Sequence, residues 1–472
     1  MRIAHVSDSH LTNPEGVATS VGTTVALLRA AGHRVVLHCP GPLFRCRRRP
    51  GEVPSLSVPT RPYRLALPRP PSAPVDVVHV HTTGPLGVAG LRWAATRGVP
   101  TVLTWHTDLV AYAAHYPEIP IGAAYAGMRL GLRWRVGDLW ALAHPGPGRQ
   151  ARLAALGRTL LAHTTVLIAP SAKTAEMMAT MAGRTPVVVL PTPAAAPLAD
   201  ADDRRRLRAR LGIPADAPVL LAVGRATPEK NPELLLAAFA QVRSELPAAR
   251  LVLLGARRHR LAVRRMARRY GVAGALHLLR PVPRHRVGAH YRAADVLAFT
   301  STTDTQGLVL AEAEAYGLPV AMVDTLLAER PGTGTTRPVA EPSPAAFGAL
   351  LIRLLTEPEL RGTVIRDGRA AATDWSAERY LAELVKLYAS LPPVSPAGGT
   401  AIPGARRGDA GAGSQRPVDP APAGHGCSSP STSSAPRWSS SSYWPTRGAA
   451  TPWWRPPRLG GWSPTPATCC CG

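Results

Sequence analysis

Apolar residues in this chain gather into short, nearly continuous runs set between longer amphipathic stretches. Ile3 to Ser7, Val35 to Cys39, Val75 to Val80, Thr101 to Trp105, Val166 to Ala169 and Val187 to Leu190 are runs of this kind. A strand without polar alternation is one buried on both faces, as in a parallel sheet covered by helices. Helical patterning lies between the runs, at Val17 to Ala31 and Ala172 to Met181. The order βαβα implies a doubly wound sheet. Pro191 to Asp203, rich in Pro and Ala, reads as a linker. A second series follows, with strands at Val219 to Val223, Leu251 to Leu254, Leu276 to Leu278, Val296 to Phe299 and Pro319 to Val323. Helices are predicted at Pro232 to Leu246 and Arg260 to Tyr270, and Ala345 to Leu391 reads as almost all helix, closing the second series.

The pattern predicts an α/β protein of two doubly wound, Rossmann-like domains, 1–195 and 196–391, with a cleft between the carboxyl ends of two sheets. A chain of 472 residues is long enough for both. Beyond Pro392 periodicity vanishes and Pro, Gly, Ser and Ala dominate, so 392–472 is read as disordered. Two origins stay open for this tail, a selected extension or translated out-of-frame sequence.

Two stretches carry candidate chemistry. Val223-Gly224-Arg225-Ala226-Thr227-Pro228-Glu229-Lys230-Asn231 ends a strand, turns at a glycine and sets two cations five residues apart before a helix. Such a pair can clamp a diphosphate and meet its charge as it departs. Thr303-Asp304-Thr305-Gln306-Gly307-Leu308-Val309-Leu310-Ala311-Glu312 follows the strand ending at Phe299. A turn that opens a helix offers unpaired N–H groups and a positive dipole end, suited to a phosphate. The acid eight residues beyond Asp304 can reach a sugar hydroxyl.

Together these stretches resemble the retaining glycosyltransferases of family four, which have the GT-B fold. The likeness extends into the first half. The 13–21 loop, Asn13 to Val21, is similar to that family's glycine loop after the first strand. His79-Val80-His81-Thr82-Thr83-Gly84-Pro85-Leu86-Gly87 and Thr104-Trp105-His106-Thr107-Asp108, with Tyr112, His115 and Tyr116, resemble members that glycosylate lipids. The TQGLVL wording after Asp304 leans toward diacylglycerol glucosyltransferases, with phosphatidylinositol mannosyltransferases nearby. The resemblance implies that Arg225 and Lys230 hold the departing diphosphate and that Glu312 accepts the ribose hydroxyls. It implies that Asp304, with Thr305, Gln306, Gly307 and Leu308, holds the donor sugar and phosphate. His106 would contact the sugar from the facing domain, and Gly16 would border the phosphates or acceptor. The implied partners are a nucleotide sugar, with UDP ahead of GDP, and a lipid or small-molecule acceptor. No metal or other cofactor is implied, since cationic side chains and helix termini take the place of Mg²⁺. Departures from the family pattern are Asp304 where Glu is usual, Gly255-Ala256-Arg257-Arg258, Pro191-Thr192-Pro193, and the run Asp324 to Arg330.

Composition adds one expectation. Lys and Arg outnumber Asp and Glu 55 to 30. That favours anions, and in the absence of any zinc-finger, RNA-binding or helix-turn-helix signature it is not read as nucleic-acid binding. Arg129, Arg133 and Arg135 among Tyr125, Met128, Leu130, Leu132 and Trp134 suggest a basic, aromatic helix over Gly122 to Val136, with Arg129 and Arg133 sharing a face. Arg45, Arg47, Arg48, Arg49, Arg61 and Arg64 add to it. The expectation is a cytoplasmic protein, peripheral on the inner face of the cell membrane through its first domain. The six cysteines form no disulfide or zinc pattern. His79 and His81 are read as strand residues with no catalytic part and Glu314 as a solvated helix acid, while Asp8 and Glu15 are read as surface acids, with orientation of the acceptor as the alternative.

Overall fold

The computed structural model of the chain describes residues 1–12, 15–41, 50–59, 64–68, 71, 73–113, 116, 118–194, 202–256 and 259–394. The runs of apolar residues become strands β1 Arg2–Val6, β2 Arg34–Gly41, β3 Glu52–Pro59, β4 Arg64–Ala66, β5 Val77–Val80, β6 Thr101–Thr104, β7 Val166–Ala169 and β8 Val187–Val189. These pair in the order β4-β3-β2-β1-β5-β6-β7-β8. A second sheet of β9 Val219–Val223, β10 Arg250–Leu254, β11 Leu276–Leu279, β12 Val296–Phe299 and β13 Val320–Met322 has the order β11-β10-β9-β12-β13. Every pairing is parallel except β3 with β4. Two doubly wound sheets of this kind make a GT-B fold.

The helices are α1 Gly16–Ala30, α2 Pro85–Arg97, α3 Leu109–Ala113, α4 Glu118–Arg129, α5 Val136–Ala143, α6 Pro147–Ala162 and α7 Ala172–Ala182. They continue as α8 Asp203–Leu211, α9 Pro232–Glu245, α10 Arg260–Arg269, α11 Val287–Ala293, α12 Leu308–Ala315, α13 Pro344–Thr356, α14 Pro358–Asp374 and α15 Ala377–Ala389. Both sheets belong to one compact unit beginning at Met1. In each sheet the winding reverses beside a central strand, at β1/β5 and at β9/β12, and the carboxyl ends there are where open α/β sheets take ligands.

Several expectations need correction. The β3–β4 hairpin is absent from the sequence reading. Helices α13 and α14 pack on the core of the second sheet, but the last described helix does not. Helix α15 crosses back to the first, where Tyr380, Leu384 and Tyr388 are buried with Ile3, Val21, Val25 and Leu28. Tyr380 shares a 2.8 Å hydrogen bond with Thr24. The basic segment is not one helix either. Helix α4 stops at Arg129, Gly131 takes a φ of 93°, and Arg133 lies in the connection to α5, so Arg129 and Arg133 share no helical face. Trp134 is half-buried and donates from Nε1 to the carbonyl of Ala124 at 3.0 Å. Arg45, Arg47, Arg48, Arg49, Arg61 and His115 lie outside the described residues, as does the side chain of Arg64.

Two acids read as surface groups are buried. Asp8 is fully buried and accepts from the N–H of Leu86 at 2.9 Å, from that of Gly87 at 3.3 Å and from Thr82 at 2.6 Å. It thereby caps α2, whose first N–H groups have no partner within the helix. Burial pushes its carboxyl up, and the Thr82 hydroxyl and these N–H groups pull it down. Glu314 is buried between two buried arginines, at 2.7 Å from Arg330 and 2.8 Å from Arg337.

Candidate active site

Strand β9 delivers Gly224, Arg225 and Lys230 to the cleft. Gly224 has a φ of 146° and Gly255, at the end of β10, a φ of 108°. A Cβ on Gly255 would lie 2.6 Å from the Gly224 carbonyl oxygen, so glycine is required where the two chains pass. Arg225 and Lys230 line one pocket with Val223, Thr300 and Ser301, at the carboxyl ends of β9 and β12.

Strand β12 delivers the second stretch. Gly307 caps α12 in the left-handed region, at φ 66°. There a Cβ would also crowd Leu310 at 2.9 Å. Helix α12 then starts at Leu308 and carries Glu312 one turn on. A Cβ built on Gly16 would lie 3.8 Å from Leu308 Cδ1, so the amino ends of α1 and α12 approach each other across the cleft.

The predicted residues meet as follows. Lys230 Nζ donates to Asp304 Oδ1, making the two one ion pair with side chains only 24% and 14% exposed. Glu312 accepts from Tyr291 OH at 2.8 Å and lies 3.3 Å from Arg284. Burial raises the Glu312 carboxyl above its ordinary range, against the pull of Arg284 and Tyr291. Thr305 donates from Oγ1 to the His106 carbonyl at 3.0 Å, and its own carbonyl accepts from Ser171 and Thr174. Gln306 uses both ends of its amide on the backbone of Thr192, at 2.7 and 3.2 Å. Its side chain is therefore a pin between the two sheets in this state. His106 stands at the end of β6 with Nε2 3.2 Å from Nδ1 of His81. Burial lowers the His106 imidazole to about 4, so it is neutral near pH 7.

Two site residues, Glu229 and Lys173, are given no role from the sequence. Glu229 has a wholly buried carboxylate that accepts from Tyr116 at 2.9 Å and Thr227 at 2.6 Å and faces Arg225 at 3.4 Å. Its Oε2 has no partner. Arg225 also lies over the Tyr116 ring, 5.8 Å from its centroid. Lys173 bridges Asp324 and the Thr302 carbonyl, both at 2.6 Å. Glu229 was visible as the acid within PEKN; the tie between Arg225 and Tyr116 was not, because only tertiary structure brings the facing domain over the clamp. Nothing in the sequence marked Lys173.

Two parallel sheets with a cation pair after one strand and an acid-bearing helix after another define a two-domain GT-B protein. A family model described as Glycosyltransferase Family 4 matches residues 14–194, and one described as Glycosyl transferases group 1 matches 203–371. The chain thus carries a Glycosyltransferase Family 4 domain followed by a Glycosyl transferases group 1 domain. A D-inositol 3-phosphate glycosyltransferase of Kineococcus radiotolerans is 37% identical over 194 residues, 37% of this chain and 45% of the relative. The chain thus spans less than half the length of that relative. An alpha-monoglucosyldiacylglycerol synthase of Acholeplasma laidlawii is 24% identical over 83% of this chain and 97% of its own. The sucrose-phosphate synthase structure from Thermosynechococcus elongatus superposes with a TM-score of 0.61 at 19% identity, covering 82% of this chain and 98% of the other. The structure of Anabaena HepE in complex with UDP and glucose superposes with a TM-score of 0.60 at 16% identity, over 83% and 100%. These two are likenesses of fold.

Proposed function

We propose that the chain is a retaining glycosyltransferase that moves a hexose, glucose favoured, from a nucleoside diphosphate sugar to a lipid acceptor such as diacylglycerol. One observation carries this: Arg225 and Lys230 after β9, and Asp304 and Glu312 around the β12–α12 turn, share one cleft faced by His106. The diphosphate sits on Arg225, Lys230 and the amino end of α12. Lys230 turns from Asp304 toward phosphate as the donor binds, which frees Asp304 to accept a sugar hydroxyl. Glu312 accepts the ribose hydroxyls. The bond from the anomeric carbon to the phosphate oxygen breaks, the bond to the acceptor oxygen forms on the same face, and the acceptor's proton passes to the departing phosphate. Cations aimed at the leaving group act where charge develops.

Two observations support a lipid acceptor. The Acholeplasma relative, named for a diacylglycerol product, aligns over nearly its whole length. Ile121, Met128, Val136, Leu139 and Trp140 of α4 and α5 expose apolar surface beside Arg129, Arg133 and Arg135, and Trp140 is 69% exposed. A patch of that kind suits an anionic lipid interface. Among the described residues no helix is long and apolar enough to cross a membrane. A soluble phosphorylated polyol is the second reading, favoured by the higher identity to the inositol 3-phosphate enzymes. The test is to incubate the full chain with UDP-glucose, UDP-galactose or GDP-mannose and, in parallel, diacylglycerol vesicles or inositol 3-phosphate. Glucosyl-diacylglycerol with an α linkage is the expected product. Turnover with inositol 3-phosphate alone would defeat the lipid reading.

A further inference from the structure

Four imidazoles stand together at the carboxyl ends of β1, β5 and β6. His5 lies opposite His79 in the β1–β5 register. His79 and His81, two residues apart, stack at 4.1 Å between ring centroids. His5 Nδ1 is 2.9 Å from His81 Nε2, and His81 Nδ1 is 3.2 Å from His106 Nε2. An unbroken line of hydrogen bonds thus runs from the core to the cleft. His79 is a branch outside this line. Its Nδ1 meets Tyr388 OH at 2.6 Å and its Nε2 meets Thr104 Oγ1 at 2.7 Å. Although ligand atoms of His5, His79 and His81 come within 4.8 Å of one another, both nitrogens of His79 are already engaged, which argues against a metal there.

Burial and neighbouring imidazoles keep His79 and His81 neutral at physiological pH; burial and the Arg29 charge do so for His5, and burial alone for His106. A neutral imidazole has one N–H and one bare nitrogen. The line must then be polarised one way throughout, because reversing any one ring sets two N–H groups or two lone pairs face to face. Its inner end decides the direction. His5 is fully buried and its Nε2 has no partner. Among buried backbone groups an orphan N–H is rarer than an under-satisfied acceptor, so the bare nitrogen belongs at His5 Nε2. His5 Nδ1 then donates to His81, His81 Nδ1 donates to His106 Nε2, and the hydrogen of His106 sits on Nδ1, the one ring nitrogen left for a substrate.

We propose that His81, backed by His5, is a positioning residue that holds His106 as the Nδ1–H tautomer, so that His106 presents a neutral donor to a hydroxyl of the donor sugar. This rests on the transferase reading for its purpose but not for its geometry. A neutral donor suits that place, since an imidazolium would repel the positive charge that grows at the anomeric carbon.

The test is a long-range ¹H–¹⁵N spectrum of the full chain labelled at histidine, with His106 assigned by its absence in His106→Gln. The expected result is a protonated Nδ1 and a bare Nε2 on His106. A protonated Nε2 on His106 in the wild-type protein overturns the proposal, and that reading needs no variant to fold. In His81→Phe the ring stays but its nitrogens go. The expected outcome is a mixture of His106 tautomers and UDP release from UDP-glucose slowed about 10-fold, the worth of one neutral hydrogen bond, with KM for UDP-glucose within about threefold. His81→Gln, which keeps an amide able to bridge, restores part of the rate. An unchanged tautomer and rate in a folded His81→Phe protein also overturns it. The spectrum is read without a donor, so failure to turn over UDP-glucose would count against the function and leave the tautomer result standing.

Discussion

Replacing Glu314 with Gln removes one charge from a cluster that has no spare partner. Arg330 and Glu314 have side chains 0% and 3% exposed, and Arg337 only 5%. Arg330 meets Glu314 at 2.7 Å, and Arg337 meets it at 2.8 and 3.0 Å. One carboxylate therefore balances two guanidinium groups, and Arg330 Nη2 already lacks a partner. Breaking a buried pair by deleting one member costs about 3–5 kcal/mol, because a charge is left uncompensated in the interior. Here two are left, which places the cost near the upper end, against a total stability of about 5–15 kcal/mol for a domain. The cluster ties the 324–337 segment to α12, which also carries Glu312, so donor affinity should fall with stability. Urea unfolding of the full chain followed by circular dichroism should show a loss of about 3–5 kcal/mol for Glu314→Gln. A triple variant, Glu314→Leu with Arg330→Met and Arg337→Met, should lose less than the single one, since apolar replacements leave no charge behind. A single-variant change under about 1 kcal/mol, or a triple variant worse than the single, would refute the reasoning.

Stability should fall in mild acid. The folded imidazoles are depressed, His5 to about 3 and His106 to about 4, so their contribution is full above pH 6.5 and is lost as pH falls from there toward 4 and then 3. Each contributes a slope of up to about 1.4 kcal/mol per pH unit; the melting temperature of His5→Phe should depend less steeply on pH than that of the wild type, and equal slopes would contradict this. Lys230→Ala should cut transfer at least about 100-fold, since a charge-assisted contact to the leaving group is worth about 3 kcal/mol; near-normal turnover would mean the site lies elsewhere. A fragment of 1–195 should be unstable without 377–391, because Tyr380, Leu384 and Tyr388 complete its core; a cooperative unfolding transition for the fragment alone would argue otherwise. Trp140→Ala should weaken sedimentation with anionic vesicles at low salt, and unchanged binding would remove α5 from the membrane contact.

The parts legible in the sequence are those in which burial is continuous. Val166–Ala169, Val219–Val223 and Val296–Phe299 appear as strands over the residues predicted, since each is apolar along its length and covered by helices. The β3 strand was hidden because its pattern is inverted. Ser55 and Ser57 face inward while Leu56 and Val58 are 49% and 42% exposed, and Pro54 and Pro59 argue against a strand. Helix α15 is amphipathic in sequence, yet nothing local says which sheet its apolar face meets. Asp8 and Glu314 look like any surface acid, because only the partners brought by folding make their burial tolerable. The site followed the same rule. The stretches around Arg225 and Asp304 were readable as strand, turn and helix start, whereas the pairing of Lys230 with Asp304, the engagement of Gln306 by Thr192 and the support of Arg225 by Tyr116 all join residues from different elements.

Calorimetric titration of the full chain with UDP asks whether this cleft holds a nucleoside diphosphate. Binding should be saturable and one-to-one, and weakened about 10- to 100-fold by Arg225→Ala and by Glu312→Ala, as expected for loss of a hydrogen bond to a charged group. No binding of UDP or GDP by the folded wild-type chain, or wild-type affinity in both variants, would contradict it.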